Sequence, residues 1–228
     1  MKKSLLLMGS LAVALASSPA LAQEEAKYES GDIQLKVLAT AVLPDGNITD
    51  VNVDAVGLPA GTDTVASDNY VPTIAAEYFF SENFSIETIA GTTQHDVDTI
   101  SGFPPGTELV SDALLLPATV TAKAHFDAGG VKPYIGAGAA YFIWLSVDPG
   151  AAVVPLGVTD TDLTDELGLV LQAGIDVPVG DDGFGVTLDA KRYFIDTTAQ
   201  WFAGNTLVIE TEHKLDPWVL SAGVSYRF

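Results

Sequence analysis

Apolar and polar residues alternate along several segments of the chain, most clearly at the C-terminus. One face of the last segment is apolar and comprises Trp218, Leu220, Ala222, Val224, Tyr226 and Phe228. The other face comprises Val219, Ser221, Gly223, Ser225 and Arg227, and all of these except Val219 are small or polar. A period of two predicts a β-strand. An apolar outer face with a small or polar inner face is typical of a transmembrane β-barrel, although a soluble β-sandwich also alternates.

Eight strands of this kind are predicted, joined by connections that are alternately short and long. They are expected near residues 31–43, 70–80, 84–95, 114–127, 131–147, 166–179, 184–198 and 214–228. The short connections are rich in Gly, Asn and Asp, which favour tight turns. Outer-membrane barrels have short periplasmic turns and long external loops. The prediction is therefore an all-β, eight-stranded antiparallel transmembrane β-barrel with both termini in the periplasm.

Aromatic residues cluster at the strand ends that carry the short connections. They are Tyr78, Phe80, Phe84, Phe126, Tyr134, Phe184, Tyr226 and Phe228. Aromatic rings favour the membrane interface, so these residues predict a periplasmic girdle. Because the chain ends on Phe228, two residues after Tyr226, we expect this terminal strand to be the signal read by the barrel-assembly machinery, through strand addition at an open edge.

The N-terminus has the pattern of a secretory signal. Lys2 and Lys3 precede a short apolar run over residues 5–16, and Ala20-Leu21-Ala22 forms a small-residue cleavage site. The apolar run is shorter than the roughly 18 to 20 residues that a membrane-spanning helix needs. We therefore predict a signal peptide over 1–22 and one outer-membrane barrel over 23–228.

Composition agrees with an exported domain embedded in a membrane. The formal net charge is −20 and the mean hydropathy is +0.30, and cysteine is absent. Apolar and acidic residues must therefore be separated in space, as they are when a lipid-facing belt carries acidic loops. Nucleic acid is not expected as a partner, because its binding needs Lys and Arg on phosphates.

Charged residues fall on the predicted inner faces of the strands. They are Lys36, Glu77, Glu87, Lys123, Asp176, Asp189, Lys191 and Arg227. Charges in a narrow lumen are costly unless they are paired. By parity the expected pairs are Lys36–Glu77, Glu87–Lys123 and Asp189–Arg227. Such a network either plugs the periplasmic end or merely fills a small barrel, and the sequence favours neither.

Farther from the turns the predicted inner face becomes apolar or small. It comprises Leu38, Ala75, Ile89, Gly91, Gly136, Gly138, Ala140, Phe142 and Val170. The glycines leave room for an apolar ligand, which gains roughly 25 cal/mol for each Å² that it buries. The alternative is a packed interior without a cavity.

No motif predicts catalysis, a cofactor or a metal site. A hydrolytic barrel needs a histidine that activates a nucleophile, and His95, His125 and His213 do not lie in a recognisable triad motif. The long connections over 44–69 and 148–165 are acidic. Their carboxylates could bridge Ca²⁺ or Mg²⁺ to lipopolysaccharide phosphates, but solvation of exposed loops is the favoured interpretation.

Several motifs resemble the outer membrane protein W (OmpW) family, which includes alkane-uptake barrels. They are Leu215-Asp216-Pro217-Trp218-Val219 and Tyr226-Arg227-Phe228 at the C-terminus, Ile195-Asp196-Thr197-Thr198-Ala199, and the run from Lys132 to Gly138. The resemblance implies a narrow, mostly apolar lumen, passage of small hydrophobic molecules and lateral release through the barrel wall. It also implies an apolar gate residue at Ile89. The family's inward tryptophan on the seventh strand corresponds to Lys191 here, so this part of the gate is expected to differ.

The sequence thus predicts a passive, cofactor-free barrel in a Gram-negative outer membrane. The candidate channel residues are Leu38, Ile89, Phe142 and Lys191, and the candidate network residues are Lys36, Glu77, Glu87, Lys123, Asp189 and Arg227. The expected partners are outer-membrane lipids, lipopolysaccharide, small hydrophobic solutes and the barrel-assembly machinery. The alternative is a structural or receptor barrel with a filled lumen. The solute and the oligomeric state are left open.

Overall fold

The computed structural model describes residues 28–228, so the predicted signal peptide lies outside the described residues. Most of the described chain is strand, with one 3-10 turn at Val154–Leu156. Within it, no helix is long and apolar enough to cross a membrane. The strands are β1 (Ile33–Leu43), β2 (Asn47–Asp54), β3 (Asp63–Ala66), β4 (Asn69–Ser81), β5 (Phe84–Ala90), β6 (Thr93–Ser101), β7 (Glu108–His125), β8 (Lys132–Pro149), β9 (Asp160–Leu163), β10 (Glu166–Pro178), β11 (Phe184–Phe194), β12 (Asp196–Ala203), β13 (Thr206–Lys214) and β14 (Trp218–Arg227).

Eight strand positions close into an antiparallel barrel. Around the barrel the eight positions are β5, β4, β1, β14, β11, β10, β8 and β7. Strand β7 closes the circle because it pairs with both β8 and β5, and β6 continues the position of β5 along β7. The ends of the described chain meet where β14 pairs with β1. There Ile33 and Phe228 exchange two backbone hydrogen bonds, each of 3.0 Å. The predicted fold class is confirmed, and closure leaves the sheet without the open edges of a sandwich.

The alternation along β14 separates lipid-facing from lumen-facing residues as predicted. Trp218 and Phe228 are 49% and 61% exposed, whereas Val219 and Ser225 are buried. The girdle residues are also exposed, with one exception. Tyr134 is 2% exposed and lies in the lumen, so its assignment to the girdle is wrong. Position 134 has lumen parity on β8, and that parity outweighs its place near a strand end.

The long connections carry strands of their own. Strands β2, β13, β12 and β9 form a second, four-stranded sheet, while β3 pairs with β6. Two predicted strands are consequently divided: 84–95 breaks between β5 and β6, and 184–198 breaks at Ile195, between β11 and β12. The predicted strand 214–228 begins at Trp218, after Pro217, which lacks the N–H that a ladder needs. The wall therefore continues beyond the membrane as an external extension.

Candidate functional site

The periplasmic half of the lumen is filled by a buried ionic network. Lys36 Nζ donates to Glu77 Oε2 at 2.6 Å and to Glu87 Oε2 at 2.7 Å. Lys123 Nζ donates to the same two oxygens at 2.8 and 3.0 Å. These four side chains therefore form a ring of alternating charge. We call the group of Lys36, Glu77, Glu87, Lys123, Asp189 and Lys191 the lumen network.

Lys191 extends this ring toward β10 and β11. Its Nζ donates to Asp189 Oδ1 at 2.6 Å and lies 3.3 Å from Glu87 Oε1. The resemblance had placed Lys191 beside the channel, but the structure places it within the network. Its charge is balanced by these carboxylates, because an unpaired ammonium in a lumen of low polarity would be costly.

Neutral partners of the network were not predicted from the sequence. Gln172 donates to Glu87 Oε1 at 2.8 Å and to Asp189 Oδ2 at 2.7 Å. The Tyr134 hydroxyl donates to the same Asp189 oxygen at 2.7 Å, and its ring lies 3.7 Å from Lys123 Nζ. Inward parity was the available signal for both residues. A buried network is stable when such groups satisfy the remaining lone pairs.

The expected pair between Asp189 and Arg227 is wrong. Asp189 is in register with Ser221 on β14, six residues before Arg227. At about 3.3 Å per residue, the two charges are roughly 20 Å apart along the strand. Arg227 instead lies 3.7 Å from Asp32 and 4.4 Å from the centre of the Tyr28 ring.

Tyr28 closes the periplasmic mouth beneath the network. It is 3% exposed and stacks on Phe79, with ring centroids 4.5 Å apart. Its edge meets His125, whose ring lies 5.7 Å away. Tyr28 precedes the first strand and belongs to no periodic pattern, so the sequence carried no signal for this role.

Above the network the lumen contains an apolar cavity that is partly open to solvent, which we call the inner cavity. Ile89 and Phe142 line it, together with Val42, Leu115, Tyr193 and Val219. Leu38 is buried but lies on β1 below the residues that line the cavity, in register with Gly223. Of the four candidate channel residues, Ile89 and Phe142 therefore face this cavity.

The barrel wall is interrupted beside Ile89. The β4–β5 ladder ends at Ile74–Ala90, and the β5–β7 ladder ends at Ile89–Thr119. Pairing with β7 resumes at Thr93–Leu115. We call the segment 91–92 and the neighbouring residues Pro72, Thr73 and Pro117 the wall window.

Pro117 explains the missing pairing at the wall window, because it has no N–H to donate from β7 across it. The window is covered by packing alone: Gly91 lies so close to β4 that a Cβ there would be 2.8 Å from Thr73 Cγ2. Above the window the wall closes again, where Asn69 Nδ2 donates to Gln94 O at 2.9 Å. Gly91, Thr73 and Pro117 also line the inner cavity, so the cavity meets the wall at this point.

Two buried histidines stand at the external end of the inner cavity. His95 and His213 are 5% and 4% exposed. His95 Nδ1 lies 2.6 Å from Ser67 O, and His213 Nε2 lies 2.6 Å from Thr211 Oγ1. Burial lowers the pKa of both imidazoles, although nearby aspartates oppose this shift.

The third histidine, His125, does not form a nucleophilic triad. Its Nε2 lies 2.8 Å from Ser85 Oγ, but the Ser85 hydroxyl donates to Glu77. Ser85 is 2% exposed and lies inside the polar network. Among residues 28–228, no group of three or more His, Asp or Glu side chains is arranged to hold a metal ion.

Comparisons with known proteins agree with this barrel. The model of the OmpW family matches residues 29–228. An outer-membrane protein of Sinorhizobium fredii is 36% identical over 188 residues, which cover 80% of this chain and 76% of the relative. Outer membrane protein W of Vibrio cholerae is 26% identical over 94% of both chains. The crystal structure of outer membrane protein OprG from Pseudomonas aeruginosa has the same fold, with a TM-score of 0.79, 23% identity, and coverage of 89% of this chain and 98% of that one.

Proposed function

Because the chain belongs to the OmpW family of outer-membrane proteins, we propose that it is a passive route for small hydrophobic molecules across the outer leaflet, with lateral release into the membrane. The observation that carries this proposal is an apolar inner cavity that meets an interruption in the strand pairing of the barrel wall. An apolar solute gains roughly 25 cal/mol for each Å² of surface that it buries there.

The ionic network directs the solute sideways. An apolar molecule moving toward the periplasm would have to break paired charges that are almost completely buried, which costs on the order of 3 to 5 kcal/mol for each pair. At the wall window it would displace van der Waals contacts instead. Lateral exit beside Ile89 is therefore the path of lower free energy.

The proposed role of Lys191 differs from that of Ile89. Because Lys191 Nζ is held by Asp189 and Glu87, it is not free to bind the head group of an amphipathic solute. We expect Lys191→Ala to change the uptake of an alkane and of a fatty acid to the same extent.

The remaining roles follow from the proposed location and chemistry. Residues 1–22 direct export, and the exposed apolar belt contacts outer-membrane lipids and lipopolysaccharide. The assembly machinery reads the strand that ends with Tyr226 and Phe228. The protein is not an enzyme in this proposal, because Ser85 is bound to Glu77 inside the network. A structural or receptor barrel with a filled lumen is the alternative.

Ile89 variants test the route. Ile89→Asp places a charge at the wall window and Ile89→Trp fills it, so both should slow the uptake of a hydrophobic tracer into proteoliposomes by about tenfold or more, which corresponds to 1.4 kcal/mol. Ile89→Val keeps the path apolar and is the matched control. Uptake of a small polar solute should change little. If Ile89→Asp and Ile89→Trp both fold and pass the tracer at the wild-type rate, the route does not run past Ile89.

A further inference from the structure

A second cavity lies at the external end of the barrel, above the inner cavity. We call it the outer pocket. Each of the four external connections contributes at least one apolar side chain, and these include Leu58, Phe103, Leu156 and Trp201. Leu156 is 58% exposed, so the outer pocket reaches the external surface.

Trp201 separates the outer pocket from the inner cavity. It projects from β12, in the four-stranded sheet, and its Nε1 donates to Leu109 O on β7, in the barrel sheet, at 3.0 Å. The indole therefore crosses the lumen from one wall to another. Ala199, the preceding inward residue on β12, lines the inner cavity, whereas Trp201 lines the outer pocket.

The chemistry of the outer pocket contrasts with that of the surface around it. The external connections carry Asp50, Asp54, Asp148, Asp160 and Asp162. The outer pocket itself is lined by aliphatic and aromatic side chains and three threonines, without a charged residue among them. A polar solute would gain little by leaving water for this lining, whereas an apolar one would be stabilised by burial.

We propose that the outer pocket is a capture site for small apolar solutes and that Trp201 is a movable partition between it and the inner cavity. This inference rests on the proposed function. The two ends of the inner cavity are closed by different means. Paired charges fill the periplasmic end, whereas the external end is closed by the neutral Trp201 ring, which donates one hydrogen bond and packs in an apolar cluster with Leu109, Val153 and Ile209. An apolar solute can replace the packing contacts of that ring as the ring moves, but it cannot replace an ion pair.

Capture is tested by quenching of tryptophan fluorescence in a protein whose sole tryptophan is Trp201, made by Trp144→Phe and Trp218→Phe. The probe is a short 1-bromoalkane, which quenches on contact. Quenching should saturate with concentration. Ala152→Phe fills the outer pocket and should raise the half-saturating concentration at least about tenfold. Ala151→Phe is the matched control, since Ala151 is exposed and is not part of the lining. Equal quenching in the Ala152 and Ala151 variants would overturn the capture site.

The partition is tested by uptake of the same hydrophobic tracer. Trp201→Ala removes the partition and should speed uptake several-fold. Trp201→Phe loses the hydrogen bond but keeps an aromatic ring, so it should have a smaller effect in the same direction. Unchanged or slower uptake in a folded Trp201→Ala protein would refute the partition. Adding Ile89→Asp to the single-tryptophan protein separates the two proposals. If quenching is still saturable in this Ile89→Asp protein, while the wild-type protein passes no tracer at all, the proposed route is wrong and the capture site is supported.

Discussion

At the residue scale, the lumen network shows that each buried charge is held by several charged or polar partners. Glu87 Oε2 accepts from both Lys36 and Lys123, while its Oε1 accepts from Gln172 and lies near Lys191. Each lysine in turn touches at least two carboxylates. Removing one member therefore leaves several partners unbalanced, because none of them can reach water.

The Glu87–Lys123 contact provides the corresponding prediction. Glu87→Gln or Lys123→Met alone should lower the free energy of unfolding by about 3 to 5 kcal/mol. The double variant should lose less than the sum, because it leaves Lys36 with Glu77 and Lys191 with Asp189. Urea unfolding in detergent micelles gives the coupling energy through a double-mutant cycle. Additive losses would show that the two side chains are independent.

At the element scale, two features of the strands determine how the barrel wall is paired. The last residue of the chain completes the seam between β14 and β1. At the wall window, β5 gives way to β6 and Pro117 interrupts pairing on β7. The first feature completes the pairing of the wall and the second leaves a short stretch of it unpaired, because each depends on whether a backbone N–H has a partner.

Deletion of Phe228 should reduce assembly. The deletion removes both hydrogen bonds to Ile33 and one girdle ring, so the terminal strand is recognised and closed less well. The measurement is the fraction of protein that reaches the outer membrane as a folded, protease-resistant barrel. Phe228→Tyr keeps the ring and the backbone and should assemble normally. Normal assembly of the deletion variant would contradict the assigned signal.

Pro117→Val should tighten the wall window. The new N–H can extend pairing between β7 and the segment 91–92, so tracer uptake should fall severalfold and thermal stability should rise slightly. Pro133→Val, at the periplasmic end of β8, is the matched control because it lies far from the window. An unchanged uptake rate in Pro117→Val would mean that wall pairing does not limit release.

At the scale of the whole molecule, the barrel has a lumen with three levels. Charges and Tyr28 fill the periplasmic level, the inner cavity occupies the middle, and a hydrophobic cluster around Trp201 packs the external extension. The external level also contains His95 and His213, buried and with lowered pKa values. This level should therefore be the part of the molecule that responds to mild acid.

The pH dependence has a definite sign. Because the folded protein binds protons on these histidines less readily than the unfolded chain, their contribution to stability is complete above pH of about 6.5 and is lost as the pH falls below that value. Limited proteolysis of the external connections should be faster at pH 5 than at pH 7.5. His95→Gln with His213→Gln should reduce that difference. Equal cleavage rates of the wild type at both pH values would exclude the effect.

The sequence by itself determined the number of membrane strands, the lipid-facing and lumen-facing positions, and the concentration of charge inside the lumen. These follow from the two-residue period of an extended chain, which is a local property. Only the tertiary structure decided that Gln172 joins Glu87 to Asp189, that Tyr28 closes the mouth, that backbone pairing is interrupted beside Ile89 and that Trp201 reaches across to β7. Each of these depends on how segments that are distant in the chain are aligned against one another. A shift in register changes which side chains meet, while the alternation along each strand stays the same.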